Sequence, residues 1–423
     1  MSVHLVSTFT VIVSRYGNEE AKMIDMEEYG LSDSYKTQFA LVESQTGSTN
    51  NQSDPYGQNL LPARVTAVHR DRYELVCSKG TGFGRLKTSV YYGREEQVFP
   101  TVGDFVMIME VEGGDSQIVE TLPRRSYFAR LDPDPVGGKQ QALAANIDIV
   151  FIMTSLNMDF KLNRIERYLV LARQSGAAPV VVLTKADLVD DATSAGAGTD
   201  AGAVIDAGAV IDAGAVIDAG ADGVDDLVAQ VQTIAGGAAV IPVSVINGRG
   251  LDRICAYLTP GTTVVFLGMS GMGKSTLINK LMGQEVMAVK EIREDDSRGR
   301  HTTTHRQLFT LPSGAMVIDT PGMRSLGMWD ADEGLSETFS DIEALFGSCR
   351  FADCHHENEP GCAVRAAIED GALSAARFAR YQSLRQESTY AENKAAFLRK
   401  KQARNKDIAV RVRQAKKRGE IQQ

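Results

Sequence analysis

No stretch of this 423-residue chain approaches the roughly eighteen consecutive apolar residues of a membrane-spanning helix, which excludes an integral helical membrane protein. Residues 3–13 are apolar but lack a basic leader and a small-residue cleavage site, so they do not read as a secretory signal. They read as a dispensable extension, with Met23 and Met26 as alternative starts. Cysteine is scarce: five in a chain of this length cannot build a disulfide scaffold. Three of the five, Cys349, Cys354 and Cys362, crowd beside His355 and His356, and such clustering in a reduced compartment points to a metal.

What is present is an ordinary globular composition, 43% hydrophobic and 23% charged, with length for two or three domains. The net charge of -9 hides an asymmetry. Residues 394–418 hold eleven Lys/Arg and one acid, Asp407, which gives +10 and leaves -19 for the remainder. A basic tail on an acidic body predicts a local polyanion contact.

Residues 1–60 carry no legible element and form an N-terminal extension, with a polar loop at 44–53. From 61 to 125 the texture is short and β-like: Arg64-Val65-Thr66-Ala67-Val68, Tyr73-Glu74-Leu75-Val76-Cys77 and Phe105-Val106-Met107-Ile108-Met109, separated by charged or glycine-rich turns such as Gly80-Thr81-Gly82-Phe83-Gly84. This suits a small barrel of the oligonucleotide-binding (OB) type, and an SH3-like barrel would give the same texture. From Ile147 strands alternate with helices, which predicts a parallel sheet covered on both faces with ligands at the carboxyl ends of its strands. Within this region, 191–222 holds an interruption in which Ala-Gly-Ala-Val-Ile-Asp occurs three times. Three copies are barely a β-helix nucleus, and a tandem duplication in a surface loop is the simpler reading.

The nucleotide motifs follow in an unusual order. Thr184-Lys185-Ala186-Asp187 ends the strand 179–183, where an aspartate can accept two hydrogen bonds from the N1 and exocyclic amine of guanine. A site that leaves buried groups unsatisfied by the wrong base discriminates by a factor on the order of 10⁴. The usual residue at Thr184 is Asn, so one supporting hydrogen bond is open; Ser244 either supports the base or is an ordinary loop serine. Gly268-Met269-Ser270-Gly271-Met272-Gly273-Lys274-Ser275-Thr276 comes later, between an apolar strand and a helix. In such a loop backbone N–H groups wrap phosphates, Lys274 supplies charge at the β/γ oxygens and the Ser275 hydroxyl coordinates magnesium. His301-Thr302-Thr303-Thr304-His305 and Asp319-Thr320-Pro321-Gly322 complete the set. Asp319 lies at a strand end near the metal, and Gly322 can offer an N–H to the γ-phosphate. A threonine reaching magnesium closes a first switch. Where a water-orienting Gln is usual the chain has Met323, so His301 is the candidate for the attacking water.

An ordinary GTPase runs from phosphate loop to switches to base reader, so this one is circularly permuted, and its second switch leads straight into the Cys/His cluster. Cys349-x4-Cys354-x-His356-x5-Cys362 supplies three thiolates and an imidazole, the set zinc prefers in a closed structural site, with His355 as rival for the nitrogen.

These motifs, with Pro100-x-Val102-Gly103-Asp104-x-Val106, Gly299-Arg300-His301-Thr302-Thr303-Thr304 and Cys354-x-His356-x-x-Glu359-Pro360-Gly361-Cys362-Ala363-Val364, resemble the RsgA/YjeQ family of circularly permuted, small-ribosomal-subunit-dependent GTPases over residues 60–381. The resemblance implies an α/β fold: a circularly permuted P-loop GTPase domain (126–330), an N-terminal all-β OB-type barrel (61–125), a C-terminal helical zinc-binding domain (331–385) and a basic tail (386–423). It implies His301 as switch histidine, Thr303 as switch threonine and magnesium ligand with Ser275, and Cys349, Cys354, His356 and Cys362 as ligands of one structural zinc. Expected partners are GTP/GDP, the small ribosomal subunit and its rRNA, for a cytoplasmic monomer off the membrane whose hydrolysis releases it from the maturing subunit. The rival reading is an RNA-binding assembly scaffold that uses nucleotide only as a binding switch. The extension, the repeat and Met272 within the phosphate loop depart from the family pattern.

Overall fold

The computed structural model describes residues 23–47, 60–91, 98–111, 113–131, 140–157, 160–189, 223–285, 306–319, 328 and 331–391. Residues 1–22, the repeat, His301, Thr303, Gly322, Met323 and the tail from 394 to 418 lie outside the described residues.

Five strands form the first unit: β1 (Leu60–Val68), β2 (Tyr73–Cys77), β3 (Gly80–Leu86), β4 (Phe105–Met109) and β5 (Ser116–Thr121). They pair in the order β1-β2-β3-β5-β4, and β4 returns to β1 from Leu60↔Met109 to Arg64↔Phe105, so the barrel is closed. β3 and β5 run parallel, with a short helix, Thr88–Tyr91, leaving β3. A closed five-stranded barrel of this pairing fits the OB type. The glycine-rich run 80–84 is a strand, not the turn its composition suggested. A Cβ at Gly84 would lie 2.4 Å from Leu75 and 3.2 Å from Ile118, so a small barrel interior leaves no room for a side chain there.

A hairpin of β6 (Tyr127–Leu131) and β7 (Gln140–Ala145) leads into the second unit, built on β8 (Ile149–Ser155), β9 (Ala178–Thr184), β10 (Ala239–Val243), β11 (Thr263–Leu267), β12 (Gln307–Thr310) and β13 (Met316–Asp319). The order β10-β9-β8-β11-β13-β12 is parallel except for β12, which runs antiparallel to β13. Alternation along β8 explains the two covered faces. Phe151 and Met153 join Leu277 and Ile278 on one side, whereas Val150 and Ile152 join Ile165 and Leu169 on the other. One bridge, Ala67↔Gln307, joins β12 to β1 and makes sheet and barrel continuous.

Between barrel and sheet lies Arg64, fully buried. It donates to Gly103 O (3.3 Å), Asn146 O (3.3 Å), Thr263 Oγ1 (2.8 Å) and Tyr29 O. Burial pulls its guanidinium down to about 10 against the attraction of Asp148, so it stays charged at neutral pH. Met26, Leu31 and Tyr35, ahead of and within the helix Asp33–Gly47, pack with Phe105 and Met107 of the barrel. Gly103 has φ +91°, and a Cβ there would sit 2.1 Å from Ala145 O, which is why the turn before β4 needs glycine.

The third unit holds the helices Asp332–Thr338, Ser340–Phe346, Ala363–Glu369 and 375–391. It docks on the helix Leu162–Gln174 through buried charge. Glu166 receives Arg377 Nη1 (2.6 Å) and Arg380, Arg377 also holds Asp341 (2.8 Å), and Arg167 pairs with Glu387. Gly334 permits the approach, since a Cβ there would lie 2.2 Å from Val170 O. Among the described residues no helix is long and apolar enough to cross a membrane.

Candidate functional site

Five parallel strands deliver their carboxyl ends to one edge: Ser155, Thr184, Val243, Leu267 and Asp319. Register puts Thr184 opposite both Ser155 and Val243. The glycine loop rises from β11 on this edge and enters the helix Lys274–Met282. Its glycines answer to geometry. Gly268 passes so near β8 that a Cβ would meet Met153 O at 2.7 Å, and Gly273, at φ +83°, turns the chain into the helix. Ser270, Gly271 and Thr276 are exposed, while Ser275 is half-buried at the helix start. The Lys274 ammonium donates to Gly268 O and Met269 O, both at 2.6 Å, so its charge lies over the mouth of the loop.

The two halves of the site are tied together by Thr184. Its hydroxyl donates to Met272 O at 2.9 Å and lies 3.3 Å from Thr154 O. The hydrogen bond left open by the missing Asn is therefore made by threonine, and it runs directly to the glycine loop. Met272 also has a physical account: its side chain is buried in the sheet core, and its sulfur accepts from the Ser155 N–H (3.3 Å) and hydroxyl (3.2 Å). Ser155 escaped the sequence reading because a serine at a strand end resembles any turn serine; its level with Thr184 was the signal available.

Lys185 takes a left-handed backbone, φ +58°, and the Ala186 N–H donates to Val243 O (3.2 Å), which holds Asp187 on the same edge in a half-buried position. Ser244 is buried in the next loop, where its hydroxyl receives the Asn247 N–H at 3.4 Å. Asp319 ends β13 opposite Gln307.

In the third unit Cys349, Cys354, His356 and Cys362 hold their ligand atoms within 4.8 Å of one another. His356 Nδ1 lies 3.6 Å from Cys349 Sγ and 3.5 Å from Cys362 Sγ. A tetrahedral zinc with Zn–S near 2.3 Å and Zn–N near 2.05 Å requires an S···N edge of about 3.6 Å, so the donor set fits that ion. Burial lowers the His356 pKa, which keeps the ring neutral and able to ligate, and Phe346 stacks on it at 4.4 Å. The Cys349 thiol is lowered overall: burial opposes, but the backbone N–H groups of Ala363 and Val364 outweigh it. His355 lies outside the set. Glu359 organises the loop by accepting from the N–H groups of His355, Glu357 and Asn358, which pull its pKa to about 2.

This architecture has known counterparts. The sequence model of the RsgA GTPase family matches residues 121–208 and 217–329. A Listeria innocua protein called small ribosomal subunit biogenesis GTPase RsgA 1 is 37% identical over 390 residues, covering 92% of this chain and 97% of that protein. The chain belongs to the RsgA GTPase family. Other RsgA relatives include a Lactiplantibacillus plantarum protein, 43% identical with 77% of this chain and 83% of that protein covered, and a Methanosarcina acetivorans protein at 39%, with 75% and 78% covered. Among solved structures, YjeQ from Thermotoga maritima aligns with TM-score 0.52 at 23% identity over 77% of this chain and 97% of its own. YloQ, described as a circularly permuted GTPase, gives 0.51 at 22% over 79% and 97%. At these identities the two structures speak for the fold, and the fold they share is that of the permuted RsgA group. The break in the RsgA family match, residues 209–216, falls inside the hexapeptide repeat.

Proposed function

We propose that this RsgA-family GTPase acts late in maturation of the small ribosomal subunit, engaging rRNA in its GTP form and leaving when GTP is hydrolysed to GDP and phosphate. One observation carries the nucleotide part: the Thr184–Met272 hydrogen bond, which fixes the base-reading loop and the glycine loop as neighbours on one strand edge. The subunit part rests on the names of the relatives.

In this reading Thr184, Lys185 and Asp187 read guanine, with Ser244 shaping the adjoining loop. The loop from Gly268 through Ser270, Gly271, Met272 and Gly273 to Ser275 and Thr276 is a P-loop that wraps the phosphates with backbone N–H groups, and Lys274 neutralises the β/γ oxygens. Magnesium, held through Ser275 and Thr303 with Asp319 nearby, supplies further charge neutralisation when the nucleotide is bound. Gly322 offers its N–H to the terminal phosphate. His301 holds the attacking water in place of the amide that Met323 cannot provide. Such a site is slow alone, because the histidine must be ordered by a partner.

Residues 126–330 then form the GTPase domain, with 191–222 a dispensable insertion, 61–125 the barrel, 331–385 a zinc-stabilised helical domain and 386–423 the basic tail, preceded by the 1–60 extension. Barrel, zinc domain and tail contact rRNA, and the protein works as a monomer in the cytoplasm. Apparent zinc binding on the order of 10–16 kcal/mol would be coupled to folding of the third unit.

The test is multiple-turnover GTP hydrolysis with and without purified small subunits. Stimulation by an order of magnitude or more is expected; equal rates would overturn the assignment. His301→Ala should abolish the stimulated rate while leaving GTP binding intact.

A further inference from the structure

The search covered the barrel face around Phe83, the Arg64 hub, the exposed Leu188 and Ile246 beside the base-reading loop, and the surface of the third unit. The last goes furthest. Beside the Cys/His cluster, on the side away from the thiols, an open groove of about 480 Å³ is lined by Phe346, His355, Tyr381, Gln382, Arg385 and Tyr390, among others. Its size falls within the roughly 300–1,000 Å³ of small-ligand sites.

Three features define its chemistry. First, Tyr390 is 69% exposed, an unusual position for a large ring on a well-packed helix. Second, the helix 375–391 lays Gln382, Arg385 and Tyr390 along one side, so an amide, a guanidinium and an aromatic face converge. Arg385 donates to Tyr381 Oη at 3.1 Å and lies 5.9 Å over that ring, leaving most of its donors for a ligand. Third, no acidic side chain lines the groove, and the chain leaving this helix carries the eleven Lys/Arg of 394–418. Cationic lining disfavours the basic tail as occupant and favours a polyanion.

We propose that this groove receives an unstacked base of single-stranded RNA, with the Tyr390 ring on the base face, the Gln382 amide at its edge and Arg385 on the adjoining phosphate. Aromatic faces with amides and a cation are the means by which proteins hold splayed bases, whereas an acidic peptide would use the charge and leave the ring idle. The inference rests on the reading that the protein engages rRNA, and adds where and in what form.

The experiment measures binding of a fluorescent ten-nucleotide single strand, and of its duplex, to the full chain across a salt series, with zinc content as the check on folding. Tyr390→Ala should weaken single-strand binding roughly five- to a hundredfold, the range that stacking of one base supplies, with Tyr390→Phe restoring it. The salt slope should stay unchanged for Tyr390→Ala and fall by about 0.7 for Arg385→Gln. Wild-type affinity in Tyr390→Ala, an equal loss for the duplex, or displacement of the RNA by polyglutamate at equal concentration would overturn the groove as a base site. Subunit-stimulated hydrolysis by the wild type, run in parallel, separates the two readings: stimulation without single-strand binding removes the groove and keeps the subunit assignment.

Discussion

A single hydroxyl does at Thr184 what an amide does elsewhere. Thr184→Val keeps shape and burial but leaves Met272 O, already close-packed, without its donor; a lost neutral hydrogen bond costs about 1 kcal/mol, and an unsatisfied buried acceptor about 1–3. GDP affinity should fall about five- to a hundredfold by titration calorimetry, while Thr184→Ser stays near wild type. Equal affinities for Val and Thr would show that the tether does not shape the pocket. At this scale the sequence was informative wherever chemistry dictates residue type: Lys274, Asp187 and the four Cys/His positions could be named from spacing because few residues can do their work. Ser155, Arg64 and Asn146 were silent, since a serine, an arginine and an asparagine each have many surface uses. What marks them is three-dimensional: Arg64 meets acceptors from Tyr29 to Thr263, which no local window contains.

Elements with strong periodicity were legible to within a residue or two, because Leu162–Gln174, Ala178–Thr184 and Thr263–Leu267 bury one stripe or two whole faces. The helix Asp33–Gly47 was not, being mixed in polarity, nor was β3, whose glycines signal turns until a crowded barrel explains them. The docking of the third unit on the helix Leu162–Gln174 gives a pH prediction. Arg377 draws the Asp341 carboxyl below its ordinary range despite burial, and Arg167 does the same to Glu387. A depressed folded pKa means the docked state holds the proton less tightly than the released one. Docking is then at full strength above about pH 4, the unfolded carboxylate value, and weakens as pH falls through the lowered values. Small-angle scattering should show a constant radius from pH 7 to about 4 and expansion below it. A chain carrying Asp341→Asn and Glu387→Gln should lack that dependence. Chelation belongs to the same element: stripping metal from Cys349, Cys354, His356 and Cys362 should loosen the helices Ser340–Phe346 and Ala363–Glu369, read as faster amide exchange there with the sheet strands unchanged. Exchange that does not respond to chelator would remove metal from the folding of this unit.

For the whole molecule, motif order was the most legible property and unit packing the least. Permutation is visible in any linear reading, but that barrel and nucleotide sheet share an arginine is not. Arg64→Gln removes a buried charged donor from acceptors in three segments; hydrogen bonds to charged groups contribute about 1.5–3 kcal/mol each, so a loss of roughly 3 kcal/mol or more is expected. Calorimetry should then resolve two unfolding transitions, barrel before sheet, where the wild type shows them merged. A single transition at the original temperature would mean the junction is held by other contacts.

The lone bridge between Ala67 and Gln307 closes what would otherwise be a bare flank of the nucleotide sheet. β12 begins directly after the 301–305 stretch and runs back along the strand that ends in Asp319. A cargo that twists the barrel therefore pulls on the same ribbon that the terminal phosphate would grip from the other end. Sensing and catalysis become two loads on one strand, and neither can be adjusted by mutation without retuning the other.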